Sequence, residues 1–420
     1  MYQKLWPIAL WLPLVVRVTG AVPKRHKQLL ARKLGQAPDD VGWIKTFTAI
    51  GDSYASGFGA GKVTNGNGDG DCGRFSEAYP NMISKFLGSS VQTYTSLACK
   101  GATIADVKDK QLPLIADNSQ DLVTISAGGD DVLFKDLLWD CVYAHSTTER
   151  CDETLGKADE AIKKLFDPID ALLTALEDKM ADDSIVLWTL YGQFFNTVAD
   201  KPCSDQTWDW FQNVLPGDGI KLSREHRQKL NDRVKAVNEK ISTALASFTG
   251  GTRPKPKYSL EPVRWENKAR DENGLFCEEN SADDPNDASN YGLIFIRLNP
   301  TARNLQERKL RVKREVIDAD LDSDNGTHPL DARDLVDYTG GNPAEDETGS
   351  LRKRDPLDKY RTVFHPTDAG HTLIAASALQ ELANIQSKGF QTKPCLRKVP
   401  PHYGDGELSL LLLSSGCTNS

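Results

Sequence analysis

Ile44 to Ile50 is a short run rich in apolar and β-branched side chains that stops abruptly at Gly51-Asp52-Ser53, which predicts a strand feeding a tight turn. Leu122-Val123-Thr124-Ile125-Ser126-Ala127 repeats the pattern and again stops at glycine, here Gly128-Gly129. Ile185 to Leu190 is nearly continuous in apolar residues, as a strand covered on both faces requires. Leu293 to Ile296 is a further candidate strand. Between these runs the period changes. Ala161, Ile162, Leu165, Ile169, Leu172, Leu173 and Leu176 recur at helical spacing within 157–181, with Pro168 as the expected break. Arg224 to Ser247 predicts another helix, and Thr367 to Ile385 a last one. Strands alternating with helices predict an α/β fold, a mostly parallel sheet with helices on both faces.

Both ends of the chain read differently. Lys4 precedes an apolar run from Leu5 to Val16, and small residues follow at Thr19, Gly20 and Ala21, the form of a cleavable export signal. That run is too short to span a bilayer, and Pro7 and Pro13 interrupt it. Residues 21–43 form a polar, basic linker or propeptide, in which Lys24-Arg25 is a candidate processing point. Residues 301–360 are rich in charge and poor in apolar side chains, which predicts a solvated insertion. Residues 391–420 are a tail whose Leu410 to Leu413 cluster is too short for a lipid-anchor signal.

Composition narrows the class. Hydrophobic residues make up 39% of the 420-residue chain and charged residues 26%, an ordinary globular balance. The formal charge of −8 argues against a nucleic-acid partner, which needs a basic face for phosphates. Eight cysteines fit an oxidising compartment and fall as neighbours along the chain, although order alone does not fix their pairing. No Cys-x-x-Cys and no Cys/His cluster of zinc spacing occurs, so no metal or other cofactor is expected. Asn65 to Gly70 resembles the start of a calcium loop but has Ser76 where the closing glutamate belongs, and a flexible loop is the better reading. Gly57 to Lys62 fails both the dinucleotide and the P-loop patterns. Asn325-Gly326-Thr327 is a glycosylation acceptor.

Three constellations carry possible chemistry. Ser53 follows a strand, where a tight turn presents a hydroxyl beyond the sheet's carboxyl edge. It reads equally as a nucleophile or as a cap for the next helix. His365 lies before Pro366, so its backbone is biased extended at the mouth of the last helix. It is a general base or a surface histidine in a turn, while His371, inside that helix, packs or caps. Gly128-Gly129-Asp130-Asp131 is a close-approach loop or only an acidic turn.

Taken together, the Gly-Asp-Ser, Gly-Gly-Asp-Asp and His-Pro segments resemble the SGNH, or GDSL-type, hydrolase family. Tyr79-Pro80, Leu97 to Ala102, and Tyr191 to Asn196 followed by Cys203 extend the likeness to its secreted lipase and esterase branch, fungal members included. The resemblance covers about 45–280 and 360–385, within a hydrolase domain placed at 44–390. It implies a flavodoxin-like three-layer α/β/α sandwich. It implies Ser53 as nucleophile, His365 as general base, and an oxyanion hole formed by Ser53, Gly101 and the residue at Asp130. It also implies disulfides Cys72–Cys99, Cys141–Cys151 and Cys203–Cys277, leaving Cys395 and Cys417 for each other.

Two positions depart from the family. Thr362 stands where an aspartate usually precedes the histidine, so a main-chain carbonyl, that of Thr362, is expected to orient the imidazole; Asp358 is a weaker substitute. Asp130 replaces the oxyanion-hole asparagine. An ionised carboxylate cannot donate a hydrogen bond and repels an oxyanion; a protonated one can donate. The expected function is a secreted serine esterase acting on lipid or short-chain acyl esters, with acylated carbohydrate as a further substrate class. The alternative is a non-catalytic or weakly active carbohydrate- or lipid-binding protein on the same fold.

Overall fold

The computed structural model describes residues 40–66, 68–143, 146–198, 203–208, 219–251, 254–271, 274–279, 294–296 and 363–389. The leader, most of the linker, the 301–360 insertion, the tail, Asn325, Asp358, Thr362, Cys395 and Cys417 lie outside them.

Five parallel strands form one sheet: β1 (Thr46–Gly51), β2 (Thr93–Ser96), β3 (Gln120–Ser126), β4 (Met180–Thr189) and β5 (Tyr258–Val263), in the order β2-β1-β3-β4-β5. This is the flavodoxin-like order, and its switch point lies between β1 and β3. The helices used below are α1 (Ser53–Ser56), α2 (Tyr79–Leu87), α3 (Phe134–Leu138), α4 (Thr148–Lys163), α5 (Phe166–Leu176), α6 (Arg224–Gly250) and α7 (Asp368–Gly389). α2 packs on α7 as one layer, and α4, α5 and α6 pack together as the other. The result is a three-layer α/β/α sandwich. Leu122, Val123 and Ile125 of β3 and Ile185 to Trp188 of β4 are all buried, so both sheet faces are covered and no strict alternation survives in these strands.

Several elements differ from the sequence expectation. The helical stretch begins at Thr148, capped by Thr147, and breaks near Lys164, so Pro168 sits in the first turn of α5, where its missing N–H costs nothing. Residues 180–181 belong to β4. The candidate strand at Leu293–Ile296 is not a sheet member: Phe295 makes one isolated bridge to Pro366, and Leu293 lies outside the described residues. β2 and β5 carry no continuous apolar run, and periodicity alone does not mark them as strands.

Three disulfides close the described part, Cys72–Cys99, Cys141–Cys151 and Cys203–Cys277. Asp69, in the calcium-like loop, has its carboxylate occupied by Thr64 Oγ1, the Gly66 N–H and Arg74.

Candidate active site

β1 ends at a backbone that only glycine tolerates. Gly51 has φ +132°, and a Cβ there would stand 2.1 Å from the Ser126 carbonyl oxygen of β3. The buried Gln111 side chain holds both Gly51 main-chain groups, its Oε1 accepting from the N–H at 2.8 Å and its Nε2 donating to the carbonyl at 2.9 Å. The chain then turns sharply into α1. Asp52, not Ser53, caps that helix, accepting the Tyr54 N–H at 3.0 Å. Ser53 is thus the first helical residue, half-buried, with its hydroxyl left for another partner.

That partner is His365. Its Nε2 lies 2.7 Å from Ser53 Oγ across 312 positions of sequence. The histidine loop is fixed from behind. Ile296 donates its N–H to the His365 carbonyl at 2.7 Å, Phe364 donates to the Ile296 carbonyl at 3.1 Å, and Tyr54 Oη donates to the Phe364 carbonyl at 3.1 Å. Phe364 adopts φ +67°, an uncommon conformation for a bulky residue, and is held there among Phe194, Phe195 and Phe276. Phe58 and Tyr54 flank the imidazole, with ring centroids 5.4 and 5.7 Å away. Lys100 Nζ stands 4.7 Å over the Phe58 ring.

Gly101 and Asp130 arrive from the two strands flanking β1. Gly101 follows β2 at φ +78°, in an exposed turn anchored to β1 by a Cys99 N–H to Gly51 carbonyl bond of 2.9 Å. The Cys72–Cys99 bridge ties the same segment to the loop after α1. Asp130 follows β3. Its neighbour Asp131 accepts the Ile104 N–H at 3.0 Å, linking the Gly101 and Asp130 loops. Ser53, Gly101 and Asp130 therefore lie beyond the carboxyl ends of three adjacent strands, at the switch point where ligands bind in open α/β sheets.

The carboxyls are unusual. Burial pushes Asp130 up to about 6, aided by Asp131, Asp106 and Asp136 and opposed by Lys135. Burial pushes Asp52 further, to about 8, and the Asp130 charge adds to it. Asp52 also accepts a short hydrogen bond from Tyr191 Oη, which in turn accepts the Gly129 N–H at 2.8 Å. His371 is fully buried, accepting the Tyr79 N–H at Nδ1, and burial followed by the His365 charge holds it down to about 3; it is a packing residue. Sequence reasoning gave Asp52, Asp131 and Tyr191 no role. Their membership of the motif segments was the only signal that pointed to them.

Residues 49–266 match the GDSL-like lipase/acylhydrolase family. "Lipase 1" of Streptomyces coelicolor (strain ATCC BAA-471 / A3(2) / M145) is 32% identical over 142 residues, 34% of this chain and 50% of that protein. A "Lipase" of Streptomyces rimosus is 37% identical over 95 residues, 23% of this chain and 34% of that protein. The chain thus spans half or less of the curated relatives it matches. A crystal structure of phospholipase A1 from Streptomyces albidoflavus NA297 superposes with a TM-score of 0.49 at 18% identity, covering 82% of this chain and 99% of that one. The family match takes in the Ser53 turn and the Gly101 and Asp130 loops. The chain belongs to the GDSL-like lipase/acylhydrolase family.

Proposed function

We propose that this protein is a serine esterase that hydrolyses lipid or short-chain acyl esters through an acyl-enzyme on Ser53. The observation that carries the reading is the 2.7 Å contact between Ser53 Oγ and His365 Nε2 at the open end of the sheet. It is the nucleophile–base distance that acyl transfer requires. His365 Nε2 takes the hydroxyl proton as Ser53 Oγ attacks the ester carbonyl carbon. The carbonyl oxygen becomes an oxyanion facing the Ser53 and Gly101 N–H groups and Asp130. Collapse expels the alkoxide, which leaves with the proton from His365. Water, deprotonated by the same imidazole, then attacks the acyl carbon and releases the carboxylic acid, returning the proton to Ser53.

Asp130 sets the condition. While its carboxyl holds its proton it can donate a hydrogen bond, and that proton is lost progressively as pH rises through about 6. The raised affinity of Asp130 for its proton therefore supports an esterase with a mildly acidic optimum. The same residue favours the second reading, a weakly active or non-catalytic binding protein, at neutral and higher pH.

Secretion completes the proposal. It is supported by the leader-like N-terminus and by three disulfides, which form and persist in oxidising compartments. Among the described residues no helix is long and apolar enough to cross a membrane. A screen of p-nitrophenyl esters of graded acyl length, and of acylated xylan, with Ser53→Ala as control tests the function. Hydrolysis lost in the variant supports the esterase. Ligand binding without turnover at any pH supports the second reading.

A further inference from the structure

We infer that Tyr191 is a positioning residue, a strut that holds the nucleophile turn and the Asp130 loop at a fixed separation. The inference rests on the esterase reading above and adds to it a residue that touches neither substrate nor the reacting atoms.

Tyr191 follows β4, one strand beyond β3 in the sheet. Its hydroxyl donates to Asp52 Oδ2, and Asp52 immediately precedes Ser53. The same oxygen accepts the Gly129 N–H at 2.8 Å, and Gly129 immediately precedes Asp130. One hydroxyl thus binds the residue before the nucleophile and the residue before the third oxyanion group. A phenol suits the task because its O–H donates and accepts at once on a rigid ring.

The ring itself is immobilised. It is 1% exposed and lies edge-on to Tyr54 and Phe134, at centroid distances of 5.2 and 5.6 Å. The Asn238 side chain of α6 grips its main chain at both ends, accepting the Tyr191 N–H at 2.9 Å and donating to the Tyr191 carbonyl at 2.7 Å. A buried aromatic that served packing alone would need neither the hydroxyl nor this clamp.

A strut of this kind acts on the oxyanion, not on substrate affinity, because misplacement of about 1 Å at a reacting centre costs on the order of a hundredfold in rate. Tyr191→Phe keeps the ring and deletes the hydroxyl. At about pH 6, where Asp130 can still hold its proton, it should lower kcat on p-nitrophenyl butyrate at least about tenfold while KM stays within about twofold. If Tyr191 works through the Asp130 loop, the same change in an Asp130→Ala background should lower kcat less than about twofold, since contacting residues of one network are not additive.

Wild-type kcat in Tyr191→Phe, or an equal fall with and without Asp130, overturns the strut. Ester hydrolysis that survives Ser53→Ala instead overturns the esterase reading, whatever Tyr191 does.

Discussion

Asp52, buried, and Asp130, half-buried, are carboxyls on neighbouring strand ends that hold their protons with unequal strength, to about 8 and about 6 respectively. Asp130 loses its proton first, while Asp52 is still neutral, and its charge then makes Asp52 harder to ionise. In the proposed mechanism only the first of these events bears on the oxyanion.

The pH profile follows. The wild-type profile should be bell-shaped: the rate rises on the acid side as His365 becomes the neutral base, and falls on the alkaline side because the protonated Asp130 donates a hydrogen bond and the ionised one repels the oxyanion. Asp130→Asn supplies a permanent donor, worth about 2.7–4 kcal/mol in a serine protease, roughly a hundredfold or more. Ester hydrolysis by the variant at about pH 8 should therefore exceed wild type at least tenfold, with the alkaline fall abolished. Initial rates across the pH range check this. A large loss in Asp130→Asn would contradict it.

Stability should be squeezed from both sides. The unfolded chain releases the Asp52 proton near 3.8 and the folded chain keeps it to about 8, so the folded state binds the extra proton in that window and loses stability as pH rises through it. His371 runs oppositely. Unfolded it is protonated below 6.5, folded it stays neutral to about 3, so stability falls as pH drops across that range. Melting curves at about pH 4, 6 and 8.5 should show the alkaline slope flattened in Asp52→Asn and the acid slope flattened in His371→Gln.

The turn after β1 admits no side chain at Gly51. Gly51→Ala drives a Cβ into the Ser126 carbonyl at φ +132° and also disturbs the Gln111 clamp. Folded protein should be lost, or its stability lowered by about 3 kcal/mol or more, as measured by chemical denaturation.

The Cys72–Cys99 bridge closes 27 residues, a loop whose constraint contributes about 3–4 kcal/mol in the chain-entropy treatment. Cys72→Ser with Cys99→Ser should lower stability by that order and lower kcat as well, since the bridge anchors the Gly101 turn. Loss of Cys141–Cys151, which anchors α4, should lower stability with little change in kcat.

Much of this was legible in the chain. β3 and β4 are covered on both faces, and their continuous apolar runs made them plain. β2, with Thr93, Tyr94, Thr95 and Ser96 alternately exposed and half-buried, is an edge strand, and β5 carries Pro262; neither leaves a hydrophobic run to read. Ser53 and His365 stood out because their local segments constrain the backbone, one through glycine and the other through proline. The Tyr191–Asp52 contact spans 139 positions and joins residues of two separate motif segments. No spacing rule connects them, so only the folded sheet brings them together.

An organophosphonate ester tests the central assignment most directly, because it bonds only to an activated nucleophile. Intact-mass and peptide analysis of the treated protein should find one phosphonyl adduct, on Ser53, absent from Ser53→Ala and slowed at least about a hundredfold in His365→Ala. A wild-type protein that stays unlabelled at about pH 6, or an adduct that persists in Ser53→Ala, would contradict the account.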